Sequence, residues 1–135
     1  MVQVPKKCFW GCSNRETIVF SSTIAYVNAS SFENCFKLAE IVFPSNLICI
    51  KDYAFRNCTA LKNVTFGKKV LSIGKSAFWG CSSIEKLALP KAIRRIGKSA
   101  FAGCTGLKSI EISANFEDDI KNIFGDVDRS IIKFI

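Results

Sequence analysis

The sequence predicts a repeat solenoid, α+β by content but built mainly from short β-strands, with five repeats and a partial C-terminal cap. Three observations carry that expectation. Cysteines fall at positions 12, 35, 58, 81 and 104, a constant step of 23 residues. A phrase returns with them: Ala54-Phe55-Arg56-Asn57-Cys58, Ala77-Phe78-Trp79-Gly80-Cys81 and Ala100-Phe101-Ala102-Gly103-Cys104, with weaker copies at Ser31-Phe32-Glu33-Asn34-Cys35 and Phe9-Trp10-Gly11-Cys12. Two apolar columns also recur one residue apart, the period-2 pattern of a strand with one buried face. A strict period of this length marks units that bury their apolar sides only against their neighbours.

Taken in order, residues 1–8 form a short lead-in to a single domain spanning 1–135. Repeats run 9–31, 32–54, 55–77, 78–100 and 101–123, and a partial unit, 124–135, acts as the cap. Three residues after each cysteine stand Arg15, Leu38, Leu61, Ile84 and Leu107. The strand columns follow: Ile18, Ile41, Val64, Leu87 and Ile110, then Phe20, Phe43, Phe66, Leu89 and Ile112. Repetition at a fixed step stacks these strands into a parallel sheet. Pro44, Gly67 and Pro90 mark a turn, since proline donates no hydrogen bond and ends a strand. Two further columns (Ile24, Leu47, Val70, Ile93, Phe116 and Val27, Ile50, Ile73, Ile96) predict a second short extended or 3₁₀ piece on the opposite side of the coil. Gly74 and Gly97 suit a bend with positive φ. Ser-Ala-Phe is then expected to lead a helical turn back to the cysteine. In the cap, Val127 stands where the next cysteine would be, and the text after it is expected to leave the register.

The unit from Leu87-Ala88-Leu89-Pro90 through Ile96-Gly97, Ala100-Phe101 and Gly103-Cys104 to Leu107 resembles the BspA-like leucine-rich repeat family, over about 115 of the 135 residues. The first copy departs from the pattern with Arg15 in a leucine column. The resemblance implies a right-handed leucine-rich-repeat solenoid with a parallel sheet on its concave side. It also implies a role at the cell surface or after secretion, in adhesion and binding of host or extracellular-matrix proteins.

Charge divides the chain. Residues 1–110 hold 16 Lys/Arg and 5 Asp/Glu, and residues 111–135 hold 3 and 6. A basic body with an acidic end attracts polyanions or another copy, although such asymmetry is ordinarily the solvation of a repeat surface. The start of the chain lacks the basic and apolar regions of a secretory signal, and no apolar run reaches the ~18 residues of a membrane span.

Seven cysteines raise disulfides and metal binding. Equivalent side chains in stacked coils point the same way, whereas a disulfide needs its Cβ vectors to converge. There is no histidine, and Cys8 and Cys12 make only one weak pair, so the chain is expected to hold no metal or cofactor. Cys12, Cys35, Cys58, Cys81 and Cys104 therefore read as a ladder of buried thiols packed as small hydrophobes. Cys8 and Cys49 lie outside it and are expected to be the accessible thiols.

The Phe9, Phe32, Phe55, Phe78, Phe101 and Phe124 column reads as an aromatic spine. The next column, Trp10, Glu33, Arg56, Trp79 and Ala102, suits no core and must face outward. Trp10 and Trp79 are candidate protein-binding residues, because exposed tryptophan is enriched at contact hot spots; shielding by neighbouring lysine stems is the ordinary alternative. The outward strand positions add Glu40, Val42, Asn63, Thr65 and Lys86 to the candidate strip. It holds no acid–base pair and no glycine-rich phosphate loop, so no catalytic residues are assigned and no enzyme is expected.

Three functions follow. The first is a protein-binding module. The second is a structural protein that assembles end to end as a homo-oligomer, because a solenoid without strong caps exposes its sheet edges. The third is a binder of polyanions such as sulfated glycans through Lys68, Lys69, Lys75, Lys91, Arg94, Arg95 and Lys98. Nucleic acid is not an expected partner, because no aromatics interleave with these charges. Sequons at Asn28, Asn57 and Asn63 matter only on a secretory route.

Overall fold

The computed structural model describes residues 2–7, 9–11 and 16–135. Each coil gives one short strand to each of two sides. On the rear side, β1 (Val2–Val4), β3 (Ile24–Val27), β5 (Cys49–Ile50), β7 (Ser72–Ile73) and β9 (Arg95–Ile96) pair in that order as one five-stranded parallel sheet. Of the second apolar column pair, Val27, Ile50, Ile73 and Ile96 lie in these strands, whereas Leu47, Val70 and Ile93 precede them outside any strand and Phe116 is in a 3₁₀ helix. The lead-in is itself structured, since β1 pairs with β3.

On the front side lie β2 (Thr17–Val19), β4 (Glu40–Val42), β6 (Asn63–Thr65), β8 (Lys86–Ala88), β10 (Ser109–Ile112) and β11 (Ile132–Phe134). They form two three-stranded sheets, β2-β4-β6 and β8-β10-β11. Register follows the repeat: Ile18 faces Ile41, Ile41 faces Val64, and Leu87 faces Ile110. The cap corrects one expectation. Its text does return to register, one residue short: Ile132 lies beside Ile110, a step of 22 rather than 23.

The interior is two aromatic stacks. Phe9, Phe32, Phe55, Phe78, Phe101 and Phe124 lie ring over ring, with centroids 5.0 to 5.7 Å apart. Phe20, Phe43 and Phe66 make a second stack at 5.6 Å, and each meets the first edge-on. One wide ring per coil spans the inter-coil spacing and excludes water along the whole axis.

Two further expectations are corrected. The Ser-Ala-Phe segment is a run of turns, not a helical turn; among the described residues helix occurs only in the C-terminal part. The reason is a pair of left-handed residues flanking each phenylalanine. One column is Lys7, Ser30, Tyr53, Ser76 and Ser99, and the other is Gly11, Asn34, Asn57, Gly80 and Gly103. Glycine and asparagine tolerate that conformation, which breaks any helix at the residue before the cysteine. Gly74 and Gly97, in contrast, do not have positive φ. A Cβ on Gly74 would lie 2.5 Å from the Asp52 backbone nitrogen, and one on Gly97 would strike the Lys75 backbone. These glycines permit close approach of coils, not a bend.

The fifth repeat ends, ahead of the cap, in a 3₁₀ helix (Ala114–Asp119), begun by Ser113 accepting from the Asn115 amide at 3.2 Å, and then α1 (Ile120–Phe124). Carbonyls of Asn122 and Ile123 accept the amides of Ser99 and Phe101 at 2.7 and 3.0 Å. The helix thereby satisfies donors that another coil would have met. No helix among the described residues is long and apolar enough to cross a membrane.

Candidate functional site

The front face presents two outward columns. Thr17, Glu40, Asn63, Lys86 and Ser109 form one; Val19, Val42, Thr65, Ala88 and Glu111 form the other. Glu40, Val42, Asn63, Thr65 and Lys86 are exposed, because strand alternation sends their buried neighbours inward. Val19 and Val42 are paired across β2 and β4 and are 88% and 56% exposed, an apolar patch with none of the described residues over it.

Between β6 and β8 the face opens. At the β2–β4, β4–β6 and β8–β10 steps a bond pattern recurs. Amides of Ala39 and Glu40 reach the Glu16 carbonyl at 2.7 and 3.2 Å, Lys62 and Asn63 reach Ala39 at 2.9 and 3.3 Å, and Lys108 and Ser109 reach Glu85 at 2.8 and 3.2 Å. The corresponding bonds from Glu85 and Lys86 to the Lys62 carbonyl are not made. Phe43 and Leu89 donate to Thr65 and Glu111 at 3.2 and 3.0 Å; Phe66 does not donate to Ala88, nor does Phe20 to Val42 in the first coil. Bonding resumes on either side of the gap, Asn57 to Trp79 and Arg94 to Leu71, both at 2.8 Å. Val64 is only half-buried, while its counterparts Ile18, Ile41, Leu87 and Ile110 are buried. A groove of about 740 Å³ lies here, lined by Lys62, Asn63, Val64, Thr65, Glu85, Lys86 and others. Nothing in the residue pattern signals this gap, since Val64 and Leu87 both suit their column.

The Trp10 column forms its own ladder. Trp10 is 55% exposed and Trp79 is 37% exposed. The Arg56 guanidinium lies over the Trp79 ring at 5.1 Å and meets Glu33 Oε2 at 3.4 Å. Trp79 is thus screened by an arginine plane, not by lysine stems.

The seven cations do not form one cluster. Lys75, Arg94 and Arg95 surround a rear hollow of about 600 Å³, joined by Lys51, which sequence reasoning did not single out. Lys68, Lys69 and Lys91 lie on the turns after β6 and β8, and Lys98 lies just beyond β9. All seven are exposed, and none of them pairs with a carboxylate among the described residues.

Cys12 and Cys8 lie outside the described residues. Cys35, Cys58, Cys81 and Cys104 are buried. They also do more than fill space. The Sγ–H groups donate to the carbonyls of Phe9, Phe32, Phe55 and Phe78 in the preceding coil, at 3.1 to 3.2 Å. The Cys35 thiol beside it, and burial, push Cys58 well above its ordinary value; burial does the same to Cys81 and pushes Cys104 up to about 12. A thiol held protonated is a poor nucleophile and a poor metal ligand. Cys49 is half-buried and accepts from Ser72 Oγ at 2.9 Å. Among the described residues no three His, Cys, Asp or Glu side chains are placed to hold a metal.

A family model for the BspA type leucine rich repeat region, in six copies, matches residues 2–130. A leucine-rich repeat protein of T. pallidum is similar at 32% identity and a TM-score of 0.80, over 82% of this chain and 51% of that one. A leucine-rich repeat protein of Bacteroides ovatus is similar in fold at 23% identity and a TM-score of 0.69, over 99% and 42%. A leucine rich cell surface protein of Faecalibacterium prausnitzii is similar in fold at 24% and 0.69, over 84% and 36%. The chain therefore spans about half the length of the T. pallidum protein, and less of the other two. No curated protein matches it.

Proposed function

The chain belongs to the BspA-type leucine-rich repeat family, and from that premise we propose that it is a non-enzymatic module that binds a partner protein through its front face. The carrying observation is the Val19–Val42 patch in one outward column, which no other described part of the chain covers. Apolar side chains at a solvated sheet surface, rimmed by Glu40, Asn63, Thr65 and Lys86, have the make-up of a contact patch. Trp10 and Trp79 extend the same reading to the adjoining side. A cell-surface or secreted location fits it; the similar Faecalibacterium prausnitzii protein is a cell surface protein.

The test is capture of the chain on immobilised fibronectin, laminin and collagen. Val42→Glu is expected to reduce retention about tenfold, the effect of burying an unpaired charge at a contact. Retention on none of the three, or equal retention by the variant, contradicts a front-face site. Trp79→Ala with unchanged retention removes that residue from the site.

A second reading rests on the seven cations without carboxylate partners. It takes a sulfated glycan as ligand and predicts retention on heparin that falls steeply with salt. Arg94→Glu with Arg95→Glu should abolish that retention; retention that ignores salt contradicts it.

A further inference from the structure

The rear sheet carries a trough. Strand register sets Tyr26, Cys49, Ser72 and Arg95 side by side in one outward column. Cys49 and Ser72 are small, and Gly74 and Gly97 stand two residues after Ser72 and Arg95, so no bulky side chain covers the floor. The hollow of about 600 Å³ lies there, bounded beyond β9 by Phe116 and Asp119. A second hollow of about 280 Å³ shares Lys51 and Asp52 with it and reaches Lys6 near β1. Cations step along this trough. Lys6 follows β1, Lys51 follows β5, Lys75 follows β7, and Arg94 and Arg95 stand at β9. All five are exposed, and none pairs with a carboxylate among the described residues. The carboxylate amid them, Asp52, is turned onto the main chain: its Oδ1 accepts the Lys75 amide at 2.8 Å.

We propose that the rear trough binds a single chain of a sulfated glycan lying along the solenoid axis, a proposal that rests on the polyanion reading above and gives it a place. Neighbouring strands lie about 4.8 Å apart. Lys51, Lys75 and Arg95 therefore offer a positive centre at each of three successive steps. A ligand that repeats its anionic groups along a line meets all of them at once. Guanidinium groups grip a tetrahedral oxyanion through paired N–H donors, and the lysines attract it as point charges. The half-buried Ser72 hydroxyl and the glycine backbone leave a polar floor with room for a sugar ring. The one aromatic lining the larger hollow, Phe116, is buried and gives a nucleic-acid base no face to stack on. Asp119 ends the track, because a polyanion running past β9 meets its carboxylate. Lys68, Lys69 and Lys91 line neither hollow and add only a screened attraction.

Cys49 on the trough floor serves as the reporter, because iodoacetamide is uncharged and its access to that thiol is blocked by an occupant. A heparin hexasaccharide should slow alkylation of Cys49, read by peptide mass mapping, about fivefold or more. Maltohexaose, which has no charge, and a short single-stranded DNA should leave the rate unchanged. Lys51→Gln with Lys75→Gln should abolish the protection and weaken heparin binding about tenfold. Ser72→Trp, which fills the floor without changing charge, should weaken heparin binding as much; if it does not fold, the lysine pair decides. Lys68→Gln with Lys69→Gln and Lys91→Gln should leave the protection intact. Heparin binding that leaves Cys49 unprotected, or that is lost with the turn lysines and kept without Lys51 and Lys75, overturns the trough while the polyanion reading stands. Equal protection by the DNA also overturns it, as charge attraction without a glycan site. Absence of heparin binding overturns both.

Discussion

The rear and front of this solenoid each take one short strand from a coil, yet one is continuous and the other is split. On the rear, five strands pair without a break from β1 to β9, and Gly74 and Gly97 let the coils approach where any Cβ would collide. On the front, six strands divide into three and three. Adhesion in a solenoid is spread over several sides of each coil, so one side can open while the others hold. The missing front bonds forgo only about 0.5–1.5 kcal/mol each, since water replaces the partner. The phenylalanine stack and rear ladder carry the coils across that gap.

The heaviest blow to the contrast would fall on what both sides share. Phe78→Ala removes a ring that stacks on Phe55 and Phe101 and meets Phe66 edge-on, and should cost about 3–5 kcal/mol by denaturant titration. A cost below ~1 kcal/mol would mean the stack does not bind the coils. Next comes the direct comparison. Ile73→Ala on the rear should cost about 2–5 kcal/mol, because its side chain is buried. Val64→Ala on the front should cost only about 1 kcal/mol, because its side chain is only partly buried. Equal costs would erase the difference between the two sides.

The thiol ladder sharpens the comparison through pH. Cys104 titrates at about 12 in the fold against an ordinary value near 9. The unfolded chain therefore loses its proton first as pH rises, and stability is full below pH 9.0 and falls between 9.0 and about 12. The slope is about 1.4 kcal/mol per pH unit for each such thiol. Thermal melts across that window check it, and Cys104→Ala should flatten the slope. At neutral pH iodoacetamide should modify the half-buried Cys49 well before the buried Cys35, Cys58, Cys81 and Cys104, as peptide mass mapping would read. The smallest effect belongs to the Glu33–Arg56 pair, a partly exposed contact at 3.4 Å, where Glu33→Gln should cost under ~0.5 kcal/mol.

Much of this architecture is written in the repeat. The Phe column declares a stack because a ring recurs at the same place in each coil, and the alternation around Ile41 or Leu87 declares the outward positions. The glycines mislead, because Gly74 and Gly97 look like bend residues in one coil and show their purpose only when the next coil lies against them. The cysteines mislead in a similar way: their bonds run to a carbonyl 26 residues back, outside any local pattern. The turns reveal themselves only once Asn34, Asn57, Gly80 and Gly103 are seen as one left-handed column. The β6–β8 gap leaves no local mark, since it depends on how two whole coils settle on each other.

Native-state amide exchange tests that gap most directly, because equivalent positions in adjacent coils serve as controls. The account predicts that Glu85, Lys86 and Phe66 exchange at least a hundredfold faster than Lys62, Asn63 and Phe43, and than Lys108, Ser109 and Leu89, all of which donate to the neighbouring coil. Protection of Glu85 and Lys86 equal to that of Lys108 and Ser109 would mean that the front ladder is closed, and would contradict it.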